Sequence, residues 1–191
     1  MTSPPETLRH GQVSLRRWRR DDAAALLAAV IESQEHLWPW MPWAADYDAD
    51  RAVEFLRECD AQWASGSGFA YAIVVGGQIV GSAGLHNRVG DGGLEIGYWV
   101  HSDWTGRGIA TDAAAALTDA ALELPGIDRV EIYHDAANLA SGRIPVKLGY
   151  ARLGERPTRD LGPAAPGDAG TDVVWQLTRQ PGPPPSSGSY A

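Results

Sequence analysis

Apolar and polar positions along this chain follow two periods, and the places where one gives way to the other mark out its elements. Val13 and Leu15 alternate with polar neighbours, as in a short half-buried strand. Asp21 or Asp22 is then placed to cap a helix over the alanine- and leucine-rich run to Val30. Leu37 to Trp43 contains two prolines among three indoles, so a loop is predicted there. Asp48 or Asp50 caps a second helix, with Ala52, Phe55, Leu56, Cys59 and Trp63 along one face. Phe69–Val75 and Gln78–Leu85 are apolar, β-branched runs joined by Gly76-Gly77, the signature of a two-residue hairpin. In the next strand, Leu94 to His101, the residues Leu94, Ile96, Tyr98 and Val100 share one face, and Glu95, Gly97, Trp99 and His101 share the other. A helix follows from Ile109 to Leu124, ended by Pro125-Gly126. The remainder predicts a strand Val130–Tyr133, a helix Asn138–Leu148 closed by Gly149, and strands Tyr150–Arg156 and Asp172–Thr178 flanking a glycine- and proline-rich loop at 160–170.

That order predicts one α/β (α+β) domain over residues 11–179, a mixed sheet with helices on both faces. Residues 1–10 and the Pro/Gly/Ser-rich 180–191 are expected to be flexible tails. The length of 191 residues leaves little room for a second domain. A net charge of −8 makes a broad nucleic-acid surface an unfavourable reading. Arg16, Arg17, Arg19 and Arg20 are clustered, but Asp21 and Asp22 beside them suggest a solvated strand end. The single cysteine, Cys59, excludes an internal disulfide and a cysteine-based zinc cluster. With no long apolar run or signal-like segment, the expectation is a cytoplasmic protein without membrane association, monomer or homodimer. Lys147 is the one lysine, so a glycine-lysine-serine/threonine phosphate loop is absent.

The stretch richest in chemistry runs from Leu94 through Gly106-Arg-Gly108 into the helix at Ile109. Other Gly-x-Gly triplets, at Gly66/Gly68 and Gly90/Gly92, do not open a helix. Here the free backbone amides of Gly106, Arg107, Gly108, Ile109, Ala110 and Thr111, with the positive end of the helix dipole, suit a diphosphate. A dinucleotide turn of the Rossmann kind needs a third glycine where Thr111 stands and an early strand-helix-strand unit, so a nicotinamide cofactor is not favoured.

Glu95-Ile-Gly-Tyr-Trp-Val100, Gly106-Arg-Gly-Ile-Ala-Thr111, and Asn138-x-x-Ser141 followed by Lys147-Leu-Gly-Tyr150 resemble the GNAT superfamily of acetyl-CoA-dependent N-acetyltransferases, and within it the RimJ/RimL-type branch. The resemblance spans about residues 11–179. It implies a splayed sheet that takes the pantetheine arm of acetyl-CoA along the strand ending at Trp99 and Val100, with Asn138 bonding that arm. Asn138 suits a helix N-cap equally well. Thr105 stands where the family pattern has Gln or Arg, which removes one side-chain contact and leaves the backbone cradle.

Acetyl transfer to an amine needs a neutral amine, a polarised thioester carbonyl and a proton for the departing thiolate. Pro145 occupies the position where many GNAT enzymes carry a proton-donating tyrosine, so Ser141 is the expected donor, with a helix-start residue as its ordinary reading. The Val100 amide is the expected oxyanion donor. Glu95 is the first candidate base, acting through water; His86 and His134 are alternatives, and a salt-bridged Glu95 the ordinary one. Trp38, Trp40 and Trp43 are expected to wall the acceptor groove or to anchor the helical layer. The acceptor is expected to be a protein N-terminal α-amine or a small cationic amine of the antibiotic type. Thr105 and Pro145 also motivate a different class, a CoA-binding sensor that has lost catalysis.

Overall fold

The computed structural model describes residues 2–159 and 164–179. The first strand, β1 (Thr7–His10), precedes the expected start of the domain and pairs antiparallel with β2 (Val13–Arg17), setting Leu8 opposite Leu15. Four residues of mixed polarity give too weak an alternation to be read from sequence, but pairing and the Tyr71 hydroxyl, which donates to the Pro5 carbonyl at 2.9 Å, hold the segment on the sheet. The tail expected at 1–10 is thus corrected over Thr7–His10. Residues 180–191 lie outside the described residues, as do 160–163 of the predicted loop.

Helix α1 covers Ala23–Glu32, but neither aspartate caps it with its side chain. Asp22 turns back instead, accepting from the Arg19 amide at 2.9 Å and from both terminal nitrogens of Arg16 at 2.7 Å. Burial alone would raise its carboxyl; the Arg16 and Arg19 bonds outweigh that and hold it below the usual carboxylate range. Arg17 pairs with Glu6 and Asp60, and Arg20 with Asp60, so three of the four clustered arginines face carboxylates. After α2 (Gln34–Leu37) and a 3-10 turn at Pro42–Ala44, Asp48 caps α3 (Ala49–Ser65) by accepting from the Arg51 amide at 2.8 Å.

The hairpin of β3 (Gly68–Val75) and β4 (Gln78–His86) turns at Gly76 and Gly77, with φ of 58° and 85°. Then come β5 (Gly93–Val100), α4 (Ile109–Glu123), β6 (Arg129–Asp135), α5 (Leu139–Lys147), β7 (Ala151–Pro157) and β8 (Thr171–Thr178). They complete an eight-stranded sheet ordered β1-β2-β3-β4-β5-β6-β8-β7, in which β5 and β6 are the parallel pair. Helices α1 and α3 cover one face through Leu26, Val30, Leu56 and Cys59; α4 covers the other through Ile109, Ala113, Ala114 and Leu117 against Leu85, Leu94 and Ile132. Among the described residues, no helix is long and apolar enough to cross a membrane.

Candidate active site

The β5–α4 turn bends through Gly106 (φ 72°) and Gly108 (φ 83°), and Gly108 is the N-cap of α4. A Cβ at either glycine would meet nothing within 4 Å, so the turn presents bare backbone to open space. Among the described residues no group accepts from the amides of Gly106 to Thr111, while the Asp112 amide already bonds the Gly108 carbonyl at 2.9 Å. The N-terminal hairpin braces this loop: Gln12 donates to the Arg107 carbonyl at 2.8 Å, and the Gln12 amide bonds Asp112 at 3.4 Å. The Arg107 guanidinium rests 4.9 Å above the Trp104 ring, a cation beside the free amides. Thr105 spends its hydroxyl on the Ser102 carbonyl at 2.9 Å. Ile109 sends its side chain into the core, leaving its amide for the turn.

Beside this turn the sheet opens. The β5–β6 ladder runs from Gly93↔Arg129 to Ile96↔Ile132 and stops, although β5 continues to Val100 and β6 to Asp135. On the other side, the His101 amide donates to the Val80 carbonyl at 2.8 Å. The alternation of an antiparallel ladder then aims the amides and carbonyls of Trp99 and Gly97 at β4, and those of Val100 and Tyr98 into the opening. Trp99, one of the residues expected at the cofactor, has its main chain facing β4 and its ring packed against Trp43 at 6.2 Å on the opposite face.

Asn138 caps α5 by accepting from the Ser141 amide at 3.1 Å. Ser141 Oγ lies 3.1 Å from the Tyr98 hydroxyl, so a residue from each side of the opening meets at its mouth. Burial raises the Tyr98 phenol to about 12, against a smaller lowering by its bond to Ser141, which keeps it protonated at neutral pH. Sequence reasoning placed Tyr98 on the correct face without giving it a role; the available signal was that face, shared with Val100 and turned toward α5. Pro145 is buried within α5, and Tyr150 ties the end of that unit to α4 through a 2.6 Å bond to Thr118.

The face of β5 opposite Tyr98 carries the other candidates. Glu95 is 3% exposed, with Arg88 on one carboxylate oxygen at 2.5 Å and Arg159 on the other at 2.7 Å. Both oxygens are engaged by cations, which is the geometry of the salt-bridged alternative for Glu95. His86 Nε2 lies 3.5 Å from where a Cβ on Gly97 would stand. Burial, and next the Arg88 charge, push His86 down to about 4, so it is a neutral acceptor at pH 7 and a weak base. His134 is occupied: Nε2 accepts from the Trp175 indole at 3.0 Å and Nδ1 donates to the Asp135 carbonyl at 2.8 Å, which fixes the neutral tautomer. Trp43 packs edge-on to Tyr47 at 5.5 Å. Trp38 is half exposed, and Gly167 bridges to this loop by donating to the Pro39 carbonyl at 2.8 Å beside the Trp40 ring. The tryptophans divide between anchoring and walling: Trp43 buries one flank against Trp99, Trp40 receives the loop before β8, and Trp38 faces solvent.

The acetyltransferase (GNAT) domain profile matches residues 12–151. The chain belongs to the GNAT acetyltransferase family. It is 28% identical over 150 residues, 75% of this chain and 80% of the relative, to the protein of Bacillus subtilis strain 168 named "Putative ribosomal N-acetyltransferase YdaF". It is 31% identical over 173 residues to the mycothiol acetyltransferase of Salinispora tropica, covering 85% of this chain and 52% of that larger protein. Among solved structures, RimJ of Mycobacterium smegmatis with CoA-disulfide superposes with a TM-score of 0.77 at 26% identity, covering 90% of this chain and 85% of that one. RimL, described as a ribosomal alpha-N-protein acetyltransferase in complex with coenzyme A, superposes at 0.80 over 91% of this chain and 98% of that one; at 18% identity it supports the fold.

This GNAT enzyme is an acetyl-CoA:amine N-acetyltransferase of the RimJ/RimL type. Its residues fit acetyl-CoA at the positions just described: side-chain-free glycines and unpaired amides for the diphosphate, and an open strand edge at Tyr98 and Val100 for the amide-bearing arm. When bound, acetyl-CoA supplies an acetyl group activated as a thioester. Beside these positions the chain presents the Val100 amide, the paired Ser141 and Tyr98 hydroxyls, and on the other face of the strand the neutral imidazole of His86.

Proposed function

We propose that this enzyme acetylates the α-amine of a protein N-terminus by direct attack, without an acetyl-enzyme intermediate. The observation that carries the choice of amine is the weakness of the bases on the acceptor face. Glu95 is bound to two guanidinium groups and His86 sits near 4, so the site is poorly equipped to strip a proton from a lysine. An α-amine titrates near 8 and a lysine near 10.4, so at pH 7 the α-amine is neutral several hundred times more often. A site that orients a neutral amine suffices for the first and not for the second. In this reading His86 Nε2 accepts from the incoming amine, Val100 polarises the thioester carbonyl, Ser141 and Tyr98 deliver a proton to the thiolate, and Trp38, Trp40 and Trp43 line the approach. The name of YdaF, a ribosomal N-acetyltransferase, supports a protein acceptor. Burial raises Cys59 to about 12 and removes it from solvent, which supports direct transfer in a reducing, cytoplasmic setting.

The test compares two peptides of one composition, one with a free N-terminus and no lysine, the other N-terminally blocked and bearing a lysine. The free α-amine is expected to react at least 100-fold faster, with kcat/KM rising toward the pKa of that amine near 8. Equal rates, or preference for the lysine, overturn the reading.

A further inference from the structure

Beyond Glu95, the acceptor face carries a cluster of cations that acetyl transfer itself does not use. Tyr133 of β6 stands at its centre, and the guanidinium carbons of Arg156 and Arg159 lie over its ring at 4.1 and 4.0 Å. Arg159 pairs with Glu95, whose register partner across the β5–β6 ladder is Glu131. Glu131 is satisfied by Arg129 at 3.1 Å, Gln176 at 3.2 Å and the Tyr133 hydroxyl. Asp172, opposite Arg156 in the β7–β8 register, accepts from the Arg159 amide at 3.4 Å. Arg156 is left with no ion pair among the described residues, and the Nε atoms of both Arg156 and Arg159 are buried without a hydrogen-bond partner among them. A chain of net charge −8 thus sets one guanidinium without an ion pair among the described residues, Arg156, beside a second, Arg159, that shares Glu95 with Arg88, at one place on its acceptor face. Stacking on an aromatic ring fixes the plane of a guanidinium and leaves its edge to grip a carboxylate with two parallel bonds.

Resting on the reading of the acceptor as a protein N-terminus, we propose that Arg156 and Arg159, stacked on Tyr133, select chains with an acidic side chain at the second or third residue. The spacing agrees. Glu95, which holds Arg159, is two residues along β5 from Gly97, roughly 7 Å, and an extended acceptor advances about 3.4 Å per residue. An amine delivered beside His86 and Gly97 therefore carries its second or third side chain to the cation pair.

Three peptides that share a first residue and carry Glu, Gln or Lys at positions two and three test this with the full-length, CoA-loaded enzyme. Calorimetric affinity gives a readout without turnover, and kcat/KM gives the second. The Glu peptide is expected to bind about tenfold or more tightly than the Gln peptide, and the Lys peptide least. Added salt should shrink that spread. In Arg156→Gln the Glu-to-Gln preference should collapse toward unity, and Arg156→Lys should restore part of it. Equal binding of Glu and Gln peptides by the wild type overturns the proposal without reference to any variant, and acetylation of both would still uphold the N-terminal acceptor. Acetylation of none removes that reading, and this inference with it.

Discussion

Two residues meet across the opening, and the proposed mechanism has them protonate the departing thiolate. Ser141 reaches that point because Asn138 caps α5 and orients its first turn, and Tyr98 because alternation along β5 turns it toward α5. A CoA thiol resembles cysteine, near 8.5, so a thiolate expelled at neutral pH gains from an immediate donor. Ser141→Ala should lower kcat by about 10- to 1000-fold while KM for acetyl-CoA changes little, and Tyr98→Phe should fall in the same range. Normal turnover in both would mean that water protonates the thiolate. His86 makes a prediction about stability. Unfolded, it titrates near 6.5, and folded near 4, so the unfolded chain binds more protons between those values. Stability contributed by neutral His86 is complete above about pH 7 and is lost as pH falls from 6.5 toward 4, by roughly 3 kcal/mol at most. Urea midpoints across that window should fall more steeply for the wild type than for His86→Gln; parallel curves would place the imidazole in water.

At the scale of elements, a turn and a broken ladder make the cofactor site. Gly108 combines positive φ with open space, so two substitutions separate strain from charge. Gly108→Ala pays only the left-handed backbone, about 1 kcal/mol and roughly 2–4 °C in melting temperature. Gly108→Glu pays the same and adds an anion where the diphosphate should lie, so its CoA affinity should fall at least tenfold below that of the Ala variant; equal affinities would put the phosphates elsewhere. The turn was legible in the sequence because Gly106 and Gly108 are the Gly-x-Gly pair that opens a helical stripe. The splay was not, beyond what the family resemblance implied: β5 and β6 are ordinary apolar strands, and nothing in their pattern marks that their ladder ends at Ile96↔Ile132 while β6 keeps its pairing with β8 as far as Asp135. Strand β1 was missed for a related reason. Its stability comes from pairing with β2, which no four-residue pattern reveals.

For the whole molecule, the order of elements from Val13 to Thr178, short α2 excepted, followed from periodicity and glycine positions, and two helical layers on one mixed sheet followed from that order. Charge partners did not. That Arg159 would engage Glu95 depends on β7 folding beside β8 and bringing Arg159 across the sheet, so the ion-pair alternative for Glu95 could be weighed from sequence but its partner could not be named. The same long-range closure sets Arg156 and Arg159 over Tyr133. Function at this scale rests on one statement, that the acetyl group passes directly from CoA to an amine held on the face of β5. Acetyl-CoA labelled in its acetyl group, incubated first with the enzyme alone and then with an N-terminal peptide, measures this most directly. The account predicts no label on the protein, Cys59 included, and label on the peptide amine equal to the thiol released. Stable label on the enzyme that then passes to the peptide would contradict it.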